Sequence, residues 1–401
     1  MSSQTLASTV DPTQVSRRTI LGGGLALLAL PAVGHAGSGR PTVRPLDAFV
    51  AGEMRKAGIP GLALGVARDG VVQLVRGYGF ADNARRRRVT PDTMFHIASI
   101  TKTVTATVIM QLAEVGKLSL DEPVGPYLDF PLINPNHPQA AITFRHLLRH
   151  VSSISDAKYY EVDFRVRGHD AKMSLAEFLR GYLVPGGRTY SAESCFATAA
   201  PGTTWDYSNV GYGVLGHLAG RIGGKDLREQ SLRRIFAPLG MHHTSWTIKG
   251  TPGRLRATPY DVVDGALVPA EPVGFPDWPA GMLRSSVSDF TSFVAASANG
   301  GAAGGSRVIG GKALAQMLDM ETPAGLPNWL TGQGLGWASS KLDGRECPNH
   351  WGGDPGAFTA VYLDPGRGSG VAVFTNMTAT AQSKTAVKDI AARLLDEVAR
   401  T

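Results

Sequence analysis

Cysteine is almost missing: Cys195 and Cys347 are the whole supply in 401 residues. Two thiols so far apart exclude a zinc cluster and a disulfide-stapled scaffold. They can pair once or remain two buried thiols acting as small hydrophobes, and the balance tips slightly to the thiols. Excess charge is also scarce. Forty Lys and Arg against 33 Asp and Glu leave a formal +7, a weak field that argues against a nucleic-acid surface. The one dense basic run, Arg85 to Arg88, stands just before Val89-Thr90-Pro91-Asp92 with no interleaved aromatics, as a solvated turn would. Long apolar runs are absent as well. A bilayer span needs about 20 apolar residues, and Leu25 to Leu30 is cut short by Gly22-Gly23-Gly24 before it and Pro31 after it. No G-x-S-x-G elbow occurs, which argues against an α/β-hydrolase, and no internal repeat is present.

What is there begins with an address. Arg17-Arg18 precedes that weakly apolar stretch, and small residues end at Ala36. The pattern resembles a twin-arginine export signal. It predicts cleavage near Ala36 (residues 1–36 removed) and a periplasmic or secreted bacterial chain with no stable membrane anchor. Hydrophobic residues at 43% and charged ones at 18% describe an ordinary globular protein for the remainder.

Gly61 to Ala67 and Val71 to Gly77 are β-rich runs joined through Asp69-Gly70, a strong hairpin signal. Ala357 to Asp364 and Val371 to Met377 form a second such pair across a Gly-rich connection. Val387, Ile390, Ala391, Leu394, Leu395 and Val398 then recur at helical spacing. The middle is helical: Ser99 to Val115, Leu175 to Leu183, Gly211 to Ile222 and Leu227 to Phe236. Strands, helices, then strands again predict an α+β fold, with one antiparallel sheet built from both chain ends, flanked by helices, and a helical lobe inserted. On that reading residues 41–401 are a single catalytic domain, with an α/β lobe at about 41–98 and 255–401 and a helical lobe at about 99–254. Residues 299–305, rich in glycine, read as a flexible loop.

Three constellations carry chemistry. Ser99-Ile100-Thr101-Lys102 opens the first long helix, so hydroxyl and amine share a face one turn apart. A serine is a weak nucleophile until a neighbour takes its proton, and a desolvated lysine of lowered pKa can do so near neutrality. Spacing alone is weak, because Ser155-Asp156-Ala157-Lys158 repeats it by chance. The second is Tyr207-Ser208-Asn209, whose phenol can shuttle a proton while the amide holds a substrate carbonyl. The third is His350-Trp351-Gly352-Gly353-Asp354-Pro355-Gly356. Glycines at a strand edge let a substrate backbone approach and leave a main-chain N–H for an oxyanion. His146 and His150 stand at i, i+4, but no Glu completes H-E-x-x-H, so neither a metal nor any cofactor is expected.

In this order and spacing the motifs resemble the serine beta-lactamase and penicillin-binding protein superfamily, notably its class C beta-lactamase, D-alanyl-D-alanine carboxypeptidase and esterase branch. Phe95-His96-Ile97-Ala98, the stretch 143–150, Ile235 to Met241 and Pro279 to Leu283 look like family segments too. The resemblance implies Ser99 as nucleophile, Lys102 as base in acylation and Tyr207 as proton relay. It further implies Asn209, His350, Gly352 and Gly353 as substrate-binding residues, with the N–H groups of Ser99 and Gly353 as oxyanion hole. His350 stands where many relatives carry the lysine of K-T-G, and Trp351 replaces a small hydroxyl residue. A titrating imidazole and an indole there predict an ester or amide as substrate, a small molecule or peptide, ahead of a β-lactam.

Overall fold

Asp69 and Gly70 both adopt left-handed backbone angles, φ 51° and 74°, and so reverse the chain between β1 (Gly61–Arg68) and β2 (Val71–Asp82) in the tight turn that such a pair favours. The computed structural model describes residues 45–399; Arg17, Arg18 and Ala36 of the expected export signal lie outside them. A short β3 (Arg87–Arg88) follows, and Arg85 pairs with Asp82 while Arg88 lies over the Phe80 ring, so the basic run is half turn and half edge strand.

The far end of the chain supplies β4 (Gly332–Gln333), β5 (Ala338–Leu342), β6 (Arg345–Asp354), β7 (Ala357–Asp364) and β8 (Ser369–Thr375). Their order in one eight-stranded sheet is β4-β5-β6-β7-β8-β1-β2-β3. The two chain ends meet where β1 runs antiparallel to β8, Leu62 opposite Thr375 and Arg68 opposite Ser369. The sheet of both ends is thus as the alternation of elements predicts.

Both faces of this sheet are covered, which is why β1, β7 and β8 are buried nearly throughout. Leu62, Leu64, Val371 and Val373 face one cluster with α1 (Pro45–Ala57) and α6 (Ala381–Ala399), whose Val387, Ile390, Ala391, Leu394, Leu395 and Val398 all enter it. Ala63, Ala67, Ala372 and Phe374 face the other cluster. That cluster runs on through α5 (Val287–Ala298) into α2 (Thr101–Glu114), α3 (Leu175–Leu183) and α4 (Asn209–Gly223). Helix α5 escapes a periodicity reading because it is buried nearly all round, packed on the sheet and within the second cluster. The glycine-rich stretch near residue 300 is not a plain loop: Ala302–Ala303 pairs with Ser306–Arg307.

Cys195 and Cys347 are buried free thiols. Among the described residues no helix is long and apolar enough to cross a membrane. Ile390 is fully buried against the sheet, so Ile390→Ala should cost about 2–5 kcal/mol, read as a lower urea midpoint; Arg393→Ala, at the rim of the same helix, should stay within about 0.5 kcal/mol of wild type.

Candidate active site

Ahead of Ser99 the chain bends sharply. A strand, Met94–His96, pairs with Arg284–Ser286, and Ala98 then takes φ +46°, a left-handed angle that costs a non-glycine residue energy. Neighbours hold the bend: Leu283 O accepts from Ile97 N at 3.0 Å, and the Thr359 hydroxyl donates to Ile97 O at 2.9 Å. A 3₁₀ turn, Ala98–Ile100, carries Ser99 and leads straight into α2. Lys102 therefore sits in the first turn of α2 with no exposed surface.

Three acceptors surround its Nζ: Ser99 Oγ at 3.2 Å, Asn209 Oδ1 at 2.7 Å and the Ala280 carbonyl at 2.8 Å. Burial pulls the amine down to about 7, against the charges of Asp156, Asp277 and Asp354. An amide oxygen and a carbonyl can only accept. When the amine is neutral its two N–H bonds satisfy them, and its lone pair is left facing the Ser99 hydroxyl.

The second motif wraps the start of α4. Ser208 caps it, its hydroxyl accepting from Gly211 N at 2.9 Å and donating to Asp156 Oδ1 at 2.9 Å. The same carboxylate accepts from Asn209 N at 2.6 Å and Val210 N at 3.2 Å, which suits an anion at a helix N-terminus, although burial still pushes it up to about 6. Tyr207 stacks on His150, ring centroids 4.4 Å apart, and lines the same cleft as Ser99. Burial raises the Tyr207 pKa well above its ordinary value, so the group is a neutral phenol that can give a proton.

The third motif is the upper half of β6, His350 to Asp354, followed by the Pro355-Gly356 turn into β7. Pairing with β5 stops at Asn349, so His350 to Asp354 keep β7 on one edge and the cleft on the other. Gly353 is exposed there, and Ser99, Tyr207, Asn209 and Gly353 line one cleft of about 230 Å³. Gly352 does not line it. A Cβ on Gly352 would run into the Ile97 carbonyl oxygen and the Thr359 hydroxyl; this glycine lets β6 pack on the bend before Ser99, which corrects its expected contact with substrate. His350 is nearly buried, beside a second pocket that also meets Tyr207. Burial and the nearby Lys102 hold its imidazole down to about 3, so it stays neutral near pH 7 rather than titrating there.

The chance S-x-x-K dissolves: Lys158 pairs with Glu161 on an exposed helix at 2.6 Å, while Asp156 faces α4. His146 and His150 also part. His146 accepts from Thr143 N in a capping box, whereas His150 Nδ1 accepts from Ser208 N at 3.1 Å. Groups missed by sequence reasoning complete the cleft: Tyr159, Tyr160, Arg165, Phe275 and Asp354. Arg165 grips Asp163 at 2.6 and 3.1 Å and lies 3.6 Å from Asp354. Tyr159, Tyr160 and Arg165 come from the stretch just after Asp156.

A model of the family described as Beta-lactamase matches residues 46–395. The chain is 29% identical over 339 residues to penicillin-binding protein 4 of Amycolatopsis lactamdurans, covering 79% of this chain and 81% of that one. Among solved structures it resembles the octameric penicillin-binding protein homologue of Pyrococcus abyssi, with TM-score 0.70, 25% identity and coverage of 90% and 78% of the two chains. It also resembles the D-amino acid amidase of Ochrobactrum anthropi SV3 complexed with L-phenylalanine, with TM-score 0.69, 25% identity and coverage of 89% and 99%.

Because Gly352 packs against the bend that aims Ser99, Gly352→Ala should displace the strand and slow the reaction of Ser99 with a fluorophosphonate by about 10²-fold, the effect of a misplacement near 1 Å. Its melting temperature should fall, whereas Gly353→Ala, whose Cβ meets nothing, should melt like wild type.

Proposed function

The chain belongs to the beta-lactamase family, whose serine-hydrolase fold the penicillin-binding proteins share, and from that premise we propose that it cleaves ester or peptide-like amide bonds through an acyl-enzyme on Ser99. The observation that carries this reading is the set of acceptors round Lys102, which turns a neutral amine's lone pair onto the serine hydroxyl.

In acylation Lys102 takes the Ser99 proton as Oγ bonds the acyl carbon. Backbone N–H groups of Ser99 and Gly353 steady the oxyanion, and Asn209 orients the substrate. Tyr207 gives its proton to the departing oxygen or nitrogen and recovers one from Lys102. Water then attacks the acyl-enzyme, and the protons return by the same groups.

The third motif favours esters and amides of the carboxypeptidase and esterase type over β-lactams. A β-lactam carboxylate calls for a fixed cation and a hydroxyl; here a neutral His350 and the indole of Trp351 stand instead. A true class C type of beta-lactamase is the second reading, supported by the complete Ser99, Lys102 and Tyr207 set. A silent binding module on the same fold is disfavoured by the Lys102 to Ser99 contact, which binding alone does not require. Export to the periplasm remains part of the proposal, on Arg17-Arg18 and the segment to Ala36.

The pH dependence follows in sign. Acylation needs the amine neutral, so the rate should rise with pH, reach half its plateau near the lysine value of about 7 and level off above. Fluorophosphonate labelling measured across that range should show this single limb, Ser99→Ala should not label, and Lys102→Ala should react at least about 10²-fold more slowly. Labelling of Ser99→Ala at the wild-type rate, or a rate flat with pH, would remove these residues from the mechanism.

A further inference from the structure

The phenol ring of Tyr207 is a shared wall. It lines the cleft with Ser99, Asn209 and Gly353 and also a second pocket of about 340 Å³. We propose that this second pocket is the leaving-group site, and that it takes an uncharged aromatic or branched alkyl group. The inference rests on the acyl-enzyme reading above and adds what departs from it.

Position comes first. As Ser99 Oγ bonds the acyl carbon, the carbon–heteroatom bond breaks, the electron pair leaves with the heteroatom, and that atom takes the phenol proton. The departing atom must then lie at Tyr207, while the acyl carbon and oxyanion lie in the cleft with Ser99 and Gly353. The group attached to the departing atom extends past the ring into the second pocket.

Chemistry comes second. Trp205, Leu330, Trp329 and Trp351 line the pocket, and the last two stack with centroids 5.3 Å apart and planes 16° apart. The polar groups among the lining are engaged with the protein. Trp205 Nε1 donates to Gln333 Oε1 at 3.0 Å, and Gln333 Nε2 donates to the Gly334 and Trp337 carbonyls. Asn349 Nδ2 donates to Ser340 Oγ at 2.8 Å, and Trp351 Nε1 to the Tyr362 hydroxyl at 2.7 Å. His150 and His350, which close the inner end, are both held neutral by burial. Nothing in this lining offers a charge to a carboxylate, and burying one unpaired is costly. An apolar cavity of about 150 Å³ holds benzene, so a space twice as large takes a ring with its linker.

The specificity set here is that of the leaving alcohol or amine, and a homologous ester series reads it. Methyl, n-butyl and benzyl acetate share one acyl-enzyme, so kcat/KM compares their leaving groups alone. Each methylene buried should raise it about fourfold, and benzyl acetate should exceed methyl acetate by at least roughly tenfold. Trp329 is 52% exposed, so Trp329→Ala should fold normally, erase most of the benzyl preference and leave methyl acetate within about twofold. A benzyl-to-methyl ratio near one in the wild-type enzyme, or one unchanged by Trp329→Ala, overturns the assignment. So does a loss confined to methyl phenylacetate, which puts the ring on the acyl side. Fluorophosphonate labelling of Ser99 in both proteins separates the two levels: labelling with an unchanged ratio overturns the leaving-group site alone, whereas no labelling and no ester turnover overturn the acyl-enzyme reading and this inference with it.

Discussion

A lysine with no exposed surface, held beside a serine, is the constraint the rest of the site serves. Desolvation penalises the ammonium form of Lys102, and without compensation a buried lysine would be neutral far below pH 7. Asp156, Asp277 and Asp354 oppose that penalty, yet they are themselves buried, and burial lifts their carboxyls to about 6, about 7 and about 6. Asp277 shows the strain of this: Oδ1 accepts from the Tyr159 hydroxyl at 3.1 Å, while Oδ2 has no hydrogen-bond partner among the described residues. Asp277, lifted furthest, is only partly ionised near neutrality and so supports the ammonium only partly. The amine is thus left near neutrality, neither locked as a cation nor stripped of its basicity.

Where the lone pair points is set by backbone. The Ala280 carbonyl is presented by the turn Trp278–Ala280, which Asp277 closes through its own carbonyl on Ala280 N at 2.9 Å. Asn209 opens α4, and Asp156 fixes that end through two backbone N–H groups and the Ser208 hydroxyl. Lys102 opens α2 behind the strained Ala98. Three elements from distant parts of the chain converge on one nitrogen, and each is pinned by its own local bonds. Such preorganisation is what lets a weak nucleophile be activated without rearrangement.

What the sequence discloses follows from which features are local. The hairpin at Asp69-Gly70, the helix of Val387 to Val398 and the one-turn separation of Ser99 and Lys102 depend on near neighbours, so composition and period reveal them. Helix α5 is hidden because burial nearly all round erases its period. The roles of Asp156 and Ala280 are hidden for a different reason: they act across long sequence separations, 54 residues from Lys102 in one case and 178 in the other. Gly352 was legible as a glycine of consequence but not in its reason, since close approach to Ile97 exists only once β6 lies on the bend. His350 was read with its ordinary pKa, because burial and the field of Lys102 are properties of the folded site.

The neutral His350 has a consequence for the lysine itself. A cation at that position would face Lys102, and like charges in a water-poor site disfavour each other strongly. The charge of Lys102 already adds to burial in lowering the tendency of His350 to carry a proton. A permanently charged residue there would press the lysine further toward its neutral form, while an uncharged imidazole leaves its basicity to the three acids. A neutral ring at this position therefore brings no cation to the cleft and leaves Lys102 protonatable near neutrality. Trp351, next in the chain, stacks on Trp329, so uncharged groups border both the buried amine and the adjoining pocket.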